Sequence, residues 1–134
     1  MCIDFSSPCP DHAFCDEPPA DVPVPVAPAN NYAINMNIGD YVSFSEKYDG
    51  EKGVLDMEYW VLRYNLSRAK THFRDARRTM QAFEHWFGPY PFPLEKYGHA
   101  QFTRGGGMEH QTMSSMGGSY VGLVAHELAH QWFG

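Results

Sequence analysis

Two histidines four residues apart, with a glutamate directly after the first, form His126-Glu127-Leu128-Ala129-His130. Four residues is slightly more than one helical turn, so both imidazoles leave the same face of a helix and can converge on one cation. Neutral imidazoles suit zinc, and a carboxylate one position beyond the first His can reach a water activated by the ion and take its proton. That is the chemistry of metal-assisted peptide hydrolysis. A second group of residues precedes it, Arg104-Gly105-Gly106-Gly107-Met108-Glu109. Its three glycines can be a flexible turn, or a backbone that approaches a bound peptide closely and offers N–H and C=O groups for strand-like pairing. Glu109 at its end could then hold a positive charge.

The surroundings of the two histidines favour the metal over ordinary core histidines. Val121, Leu123, Val124, Ala125, Leu128, Ala129, Trp132 and Phe133 make the segment apolar almost all round, as in a buried helix, with Gly117-Gly118-Ser119 as lead-in and cap. Two His and a Glu are costly inside such a helix unless something ligates or pairs them. One zinc ion takes three protein ligands and a water, and this helix supplies two, His126 and His130. The third is expected outside the chain, which reads as a fragment of a longer enzyme and is expected to be inactive in isolation.

The elements that must position these groups follow from periodicity. Tyr32, Ile34, Met36 and Ile38 alternate with Ala33, Asn35 and Asn37, and the pattern continues through Val42 and Phe44, which predicts a half-buried strand bulged near Gly39. A turn over Tyr48 to Gly53 leads to a second strand, Val54 to Tyr64, and the two make an antiparallel hairpin. Leu66, Ala69, Phe73, Ala76, Met80, Phe83 and Phe87 then recur in steps of three and four, which predicts one long helix capped by Asn65 or Ser67 and ended by Gly88-Pro89. Arg68, Lys70, Arg74, Arg77 and Arg78 read as its solvated face, and His72 and His85 as surface or boundary residues. Tyr97 to Thr103 is a short strand leading into the glycines.

Composition excludes several function classes. The net charge is −6, and residues 1–31 carry Asp4, Asp11, Asp16, Glu17 and Asp21 without a Lys or Arg, so the remainder is near neutral and nothing suggests nucleic-acid binding. No apolar run approaches the length of a membrane span, and Met1-Cys2-Ile3-Asp4 does not read as a signal peptide, which leaves the compartment open. Residues 1–31 also hold seven of the ten prolines, so they are expected to be extended or partly disordered. Cys2, Cys9 and Cys15 lie there too, and Cys9, His12 and Cys15 make a C-x-x-H-x-x-C that matches no standard zinc pattern.

Over residues 32–134 the chain resembles the aminopeptidase N family of zinc metallopeptidases, the gluzincins that include leukotriene hydrolases. Two coupled motifs carry the resemblance: Gly106-Gly107-Met108-Glu109-His110, similar to the family's G-x-M-E-N exopeptidase signature with His110 where Asn is usual, and His126-Glu127-Leu128-Ala129-His130. Phe83-Glu84-His85-Trp86-Phe87-Gly88-Pro89-Tyr90-Pro91-Phe92 is similar to the segment that precedes the first motif. The resemblance implies an α+β fold, the N-terminal half of a thermolysin-like catalytic domain, with antiparallel strands followed by a packed helix and the zinc-binding helix. Residues 1–31 would be a remnant of the family's N-terminal β-domain. It further implies that His126 and His130 bind zinc and Glu127 activates the water. Glu109 would bind the free α-ammonium of a peptide, and Gly106, Gly107 and Met108 would line the substrate. The implied substrates are peptides with a free N-terminus. Two other readings stand beside it: an endopeptidase in which Glu109 is incidental, and a truncated product that folds or binds without catalysis.

Overall fold

The computed structural model describes residue 31, residues 34–118 and residues 121–134. The three cysteines, Tyr32, Ala33 and Ser119 lie outside the described residues. Strand β1 (Tyr41–Gly50) turns through Glu51 and Lys52 into β2 (Gly53–Leu62), and the two pair antiparallel along their full length, from Tyr41 opposite Leu62 to Gly50 opposite Gly53. The two-residue connection is closed by Gly53 at φ 121°, a backbone region that side chains other than glycine rarely adopt. One turn of 3-10 helix (Arg63–Asn65) leads to α1 (Leu66–His72) and α2 (Arg74–Phe87). Beyond them come β3 (Lys96–Gln101), β4 (Gly107–Met108), β5 (Ser114–Met116) and α3 (Val121–Phe133). The helical crossover makes β3 parallel to β2, β5 is parallel to β3, and β4 is antiparallel to β5, so a mixed five-stranded sheet runs β1-β2-β3-β5-β4. The fold is α+β, and no helix among the described residues is long and apolar enough to cross a membrane.

The core lies between the sheet and the helices. Leu55, Met57, Tyr59 and Val61, alternate residues of β2, all point inward, as the period of a strand requires. They meet Ala69, Phe73, Ala76 and Met80 from the first helices and Leu123, Val124 and Leu128 from α3. Helix α3 is also fixed at its far end. Trp132 packs edge-on against Phe83 and Tyr90, and its indole N–H donates to the carbonyl of Gly88 (3.1 Å) at the close of α2. Aromatic pairs of this kind contribute about 0.5–1.5 kcal/mol each beyond area burial. Glu84, almost fully buried, accepts from the Tyr48 hydroxyl (2.7 Å) and from the backbone N–H groups of Glu51 and Tyr90, and so ties α2 to the β1–β2 turn and to the loop before β3.

Four features differ from the sequence-based expectations. The alternating segment before Gly39 is not a strand of the sheet, and its faces are inverted: Ile34, Met36 and Ile38 are 69%, 66% and 72% exposed, while Asn35 and Asn37 are half-buried. Asn35 donates to Ser115 Oγ (3.3 Å), so the polar side meets the protein. Alternation specifies an extended chain and not which face finds a partner, and a bend at Gly39 and Asp40 separates this segment from β1. The single helix is two, because the chain breaks step at Phe73 (φ −75°, ψ −4°) while the apolar stripe continues across the break. Asn65 occupies the cap position without capping, since its amide donates to Gln101 Oε1 (3.1 Å), and Ser67 makes no cap either. Of the basic residues, Arg77 is not merely solvated: it donates to the Lys47 carbonyl (2.6 Å) and lies over the Tyr48 ring.

His99 is fully buried in β3 among the rings of Tyr59, Phe73 and Tyr97, with its Nε2 3.2 Å from the Tyr97 hydroxyl. Burial lowers its pKa to about 3. Between the unfolded value near 6.5 and about 3, the unfolded chain takes up a proton that the folded chain refuses. Stability is therefore full above that window and falls as the pH drops through it, by at most about 1.4 kcal/mol per pH unit. In urea titrations between neutral pH and pH 4, His99→Leu is expected to lose less stability than the parent protein. Equal slopes would show that His99 takes up its proton in the folded state as well.

Candidate metal and peptide site

Helix α3 presents His126 and His130 on its open side and Glu127 on its inner side, as steps of one and four on a helix require. The two Nε2 atoms face each other at 3.3 Å. His130 Nδ1 lies 2.7 Å from the carbonyl oxygen of Gly134, which can only accept, so Nδ1 carries the hydrogen and the lone pair of Nε2 points into the site. Two nitrogens so placed are a donor set for one borderline-soft cation.

Glu127 is 3% exposed, and its Oε2 has no hydrogen-bond partner among the described residues. Burial raises its pKa first, and Glu109 adds to the rise, while His126 and His130 oppose it. A buried carboxylate oxygen without a donor is expensive unless a cation or a proton completes it. Oxygens of Glu109 and Glu127 and a nitrogen of His130 all lie within 4.8 Å of one another. The donor chemistry and the orphaned oxygen both fit a zinc ion held at this point.

Strand β4 explains how Glu109 arrives there. Gly107 pairs with Met116 and Met108 with Ser115, which makes β4 the edge of the sheet, directly beside α3. A Cβ at Gly107 would lie 2.3 Å from Glu127 Oε1 and 2.6 Å from its Cγ, so the absence of a side chain there makes room for the carboxylate. The sequence reading assigns Gly107 only to the peptide backbone; its second contact depends on tertiary packing that spacing does not encode. Gly106, at φ 86°, accepts the Gly117 N–H (2.9 Å) and turns the chain into β4. His110, Thr112 and the fully buried Ser114 complete the return to β5.

Gly107→Ala therefore displaces the Glu127 side chain as a whole. Any hydrolysis that uses Glu127 at this position is expected to slow by about tenfold to a hundredfold with metal content unchanged, because a misplacement of about 1 Å has effects of that size. Steady-state kinetics alongside metal analysis reads both quantities, and an unchanged rate would mean that Glu127 works from another position.

One residue of the site escapes motif reading. Gln131 is 6% exposed and its side-chain amide grips the β4–β5 turn, accepting from the Thr112 N–H (2.8 Å) and donating to the His110 carbonyl (3.3 Å). Its place four residues after Glu127, on the buried face of α3, is the signal that could have found it.

No protein-family model and no curated protein matches the chain. Solved structures do match. The M1 zinc metallopeptidase from Deinococcus radiodurans superposes with a TM-score of 0.61 at 23% identity, over 72% of this chain and 23% of that one. A mutant of that peptidase bound to a Tyr-Ser-Ala substrate gives 0.57 at 22% identity, over 72% and 23% of the two chains. Aminopeptidase A from Legionella pneumophila, in complex with aspartic acid, gives 0.61 at 18% identity, over 72% of this chain and 13% of that one. The chain thus spans less than a quarter of the length of these structures. Its α+β fold, a mixed five-stranded sheet with helices against it, is that of the N-terminal part of an M1 peptidase domain.

Proposed function

We propose that the full-length protein, of which this chain supplies part of the catalytic domain, is a zinc-dependent aminopeptidase that removes N-terminal residues from peptides. The observation that carries this reading is the convergence of Glu109, Glu127 and His130 within 4.8 Å, beside the facing Nε2 atoms of His126 and His130. A metal site alone would suggest only hydrolysis. A second carboxylate directly after an edge strand, within reach of His130, adds a reason for the substrate to be a free amine.

In this reading His126 and His130 hold one zinc ion, and the third protein ligand comes from outside this chain. Zinc so held supplies Lewis acidity to the scissile carbonyl and to a water. Glu127, whose carboxyl burial already disposes toward a proton, accepts the proton of the attacking water and returns it to the leaving amine. The open edge of β4 pairs with the backbone of the substrate, Gly106 and Gly107 admit it closely, and Met108 lines it. Glu109 receives the α-ammonium, and a carboxylate at a set distance from the metal measures a single residue. The peptide-bound M1 neighbour supports the substrate class.

The test, on the full-length protein, is hydrolysis of one peptide in two forms, with a free and with an acetylated N-terminus, before and after chelation and zinc return. Stepwise release of single residues from the free form, abolished by chelator and restored by zinc, is the expected result. Equal cleavage of the acetylated form would replace the aminopeptidase with an endopeptidase. Zinc bound without hydrolysis of either form would leave a binding or structural protein.

A further inference from the structure

We propose that Gln131 is a positioning residue that locks the turn immediately after Glu109 to helix α3, and so sets the distance between the amine anchor and the metal; the inference rests on the aminopeptidase reading. Gln131 follows His130 directly in α3, and its amide holds the two peptide groups on either side of Gln111, two residues beyond Glu109. One side chain therefore spans from the backbone beside a metal ligand to the backbone beside the ammonium-binding carboxylate.

The turn itself needs such a hold. It is closed by the Met113 N–H donating to the His110 carbonyl (3.1 Å), and Thr112 sits at its third position with φ 61°. Positive φ there ordinarily selects Gly or Asn, and a β-branched residue adopts it only where its surroundings leave no alternative. Thr112 is 8% exposed, so its N–H would be buried without an acceptor if Gln131 Oε1 were absent. Neither bond involves a zinc ligand's side chain, so the clamp can be removed without touching the metal.

The experiment compares the protein with Gln131→Leu and Gln131→Glu, reading zinc content, the ratio of kcat/KM for free over acetylated peptide, and amide exchange at residues 110–113. A ratio of rate constants is independent of the fraction of protein that is folded, so a merely structural role would not move it. Gln131→Leu is expected to keep its zinc, to lower the ratio by about tenfold as Glu109 drifts, and to speed exchange of the Thr112 amide by about tenfold or more. Gln131→Glu retains the acceptor for Thr112 and is expected to fall between the two. An unchanged ratio in Gln131→Leu with faster exchange would reduce Gln131 to a structural clamp and overturn the proposal. If the full-length parent protein hydrolyses neither peptide, the aminopeptidase reading has failed and the inference falls with it. Amide exchange then separates the parts: faster exchange in Gln131→Leu would retain a clamp without a peptidase, and unchanged exchange would remove the clamp as well.

Discussion

Glu127→Gln is expected to keep zinc and to lower kcat by about 10³-fold or more, the loss that follows removal of a general base acting on water. The substitution is nearly isosteric, so the packing of this side chain against Gly107 survives. His126 and His130 are untouched, and the hydrogen bond from His130 Nδ1 to the Gly134 carbonyl still fixes its tautomer. What is lost is the ability to accept a proton at a buried position that raises the carboxyl's affinity for one. Metal analysis and single-turnover hydrolysis together separate three outcomes. Retained zinc with lost turnover supports the base. Lost zinc would make Glu127 a ligand, a role its grouping with Glu109 and His130 also permits. Retained turnover would remove it from the reaction.

Helix α3 is legible from sequence because its apolar run sends Leu123, Val124 and Leu128 into the core and its four-residue step aligns His126 with His130, but the all-round burial expected of it is not found, since Val121 and Phe133 are exposed. The β1–β2 hairpin is legible for a similar reason, since alternation and a glycine turn are local properties. What local pattern cannot show is which neighbour a face will meet. Ile34, Met36 and Ile38 alternate as a buried strand would, yet Asn35 makes the inward contact with Ser115, eighty residues away. Asn65 has the right type and place for a cap, and Gln101, brought near by the sheet, takes its amide instead. Within the site the same limit applies. Gly107 and Glu127 are twenty residues apart, and only the pairing of β4 with β5 brings the glycine under the carboxylate. The break at Phe73 leaves no mark on the apolar stripe, because the residues on both sides of it stay in phase with the core.

Glu109→Ala is expected to separate recognition of the substrate from hydrolysis. Glu109 lies between β4 and the turn that follows it, its carboxylate within 4.8 Å of ligand atoms on Glu127 and His130, and the proposed ammonium would sit in that partly desolvated space. Charge-assisted hydrogen bonds of this kind are strong, and leaving one charge of a buried pair alone costs about 3–5 kcal/mol. The value of kcat/KM on a free-amine peptide should therefore fall by about 10²–10³-fold, with zinc content unchanged because both imidazoles remain. Glu109→Gln keeps an acceptor without the charge and should recover part of the loss. The acetylated peptide carries no ammonium, so its slow cleavage should change little, and the preference for the free form should collapse. A uniform loss on both peptides would mean that Glu109 acts on the metal or on the water and not on the amine. That outcome is physically open, because a carboxylate so close to the histidine pair is within reach of the ion itself, and the acetylated substrate is what tells an anchor from a ligand.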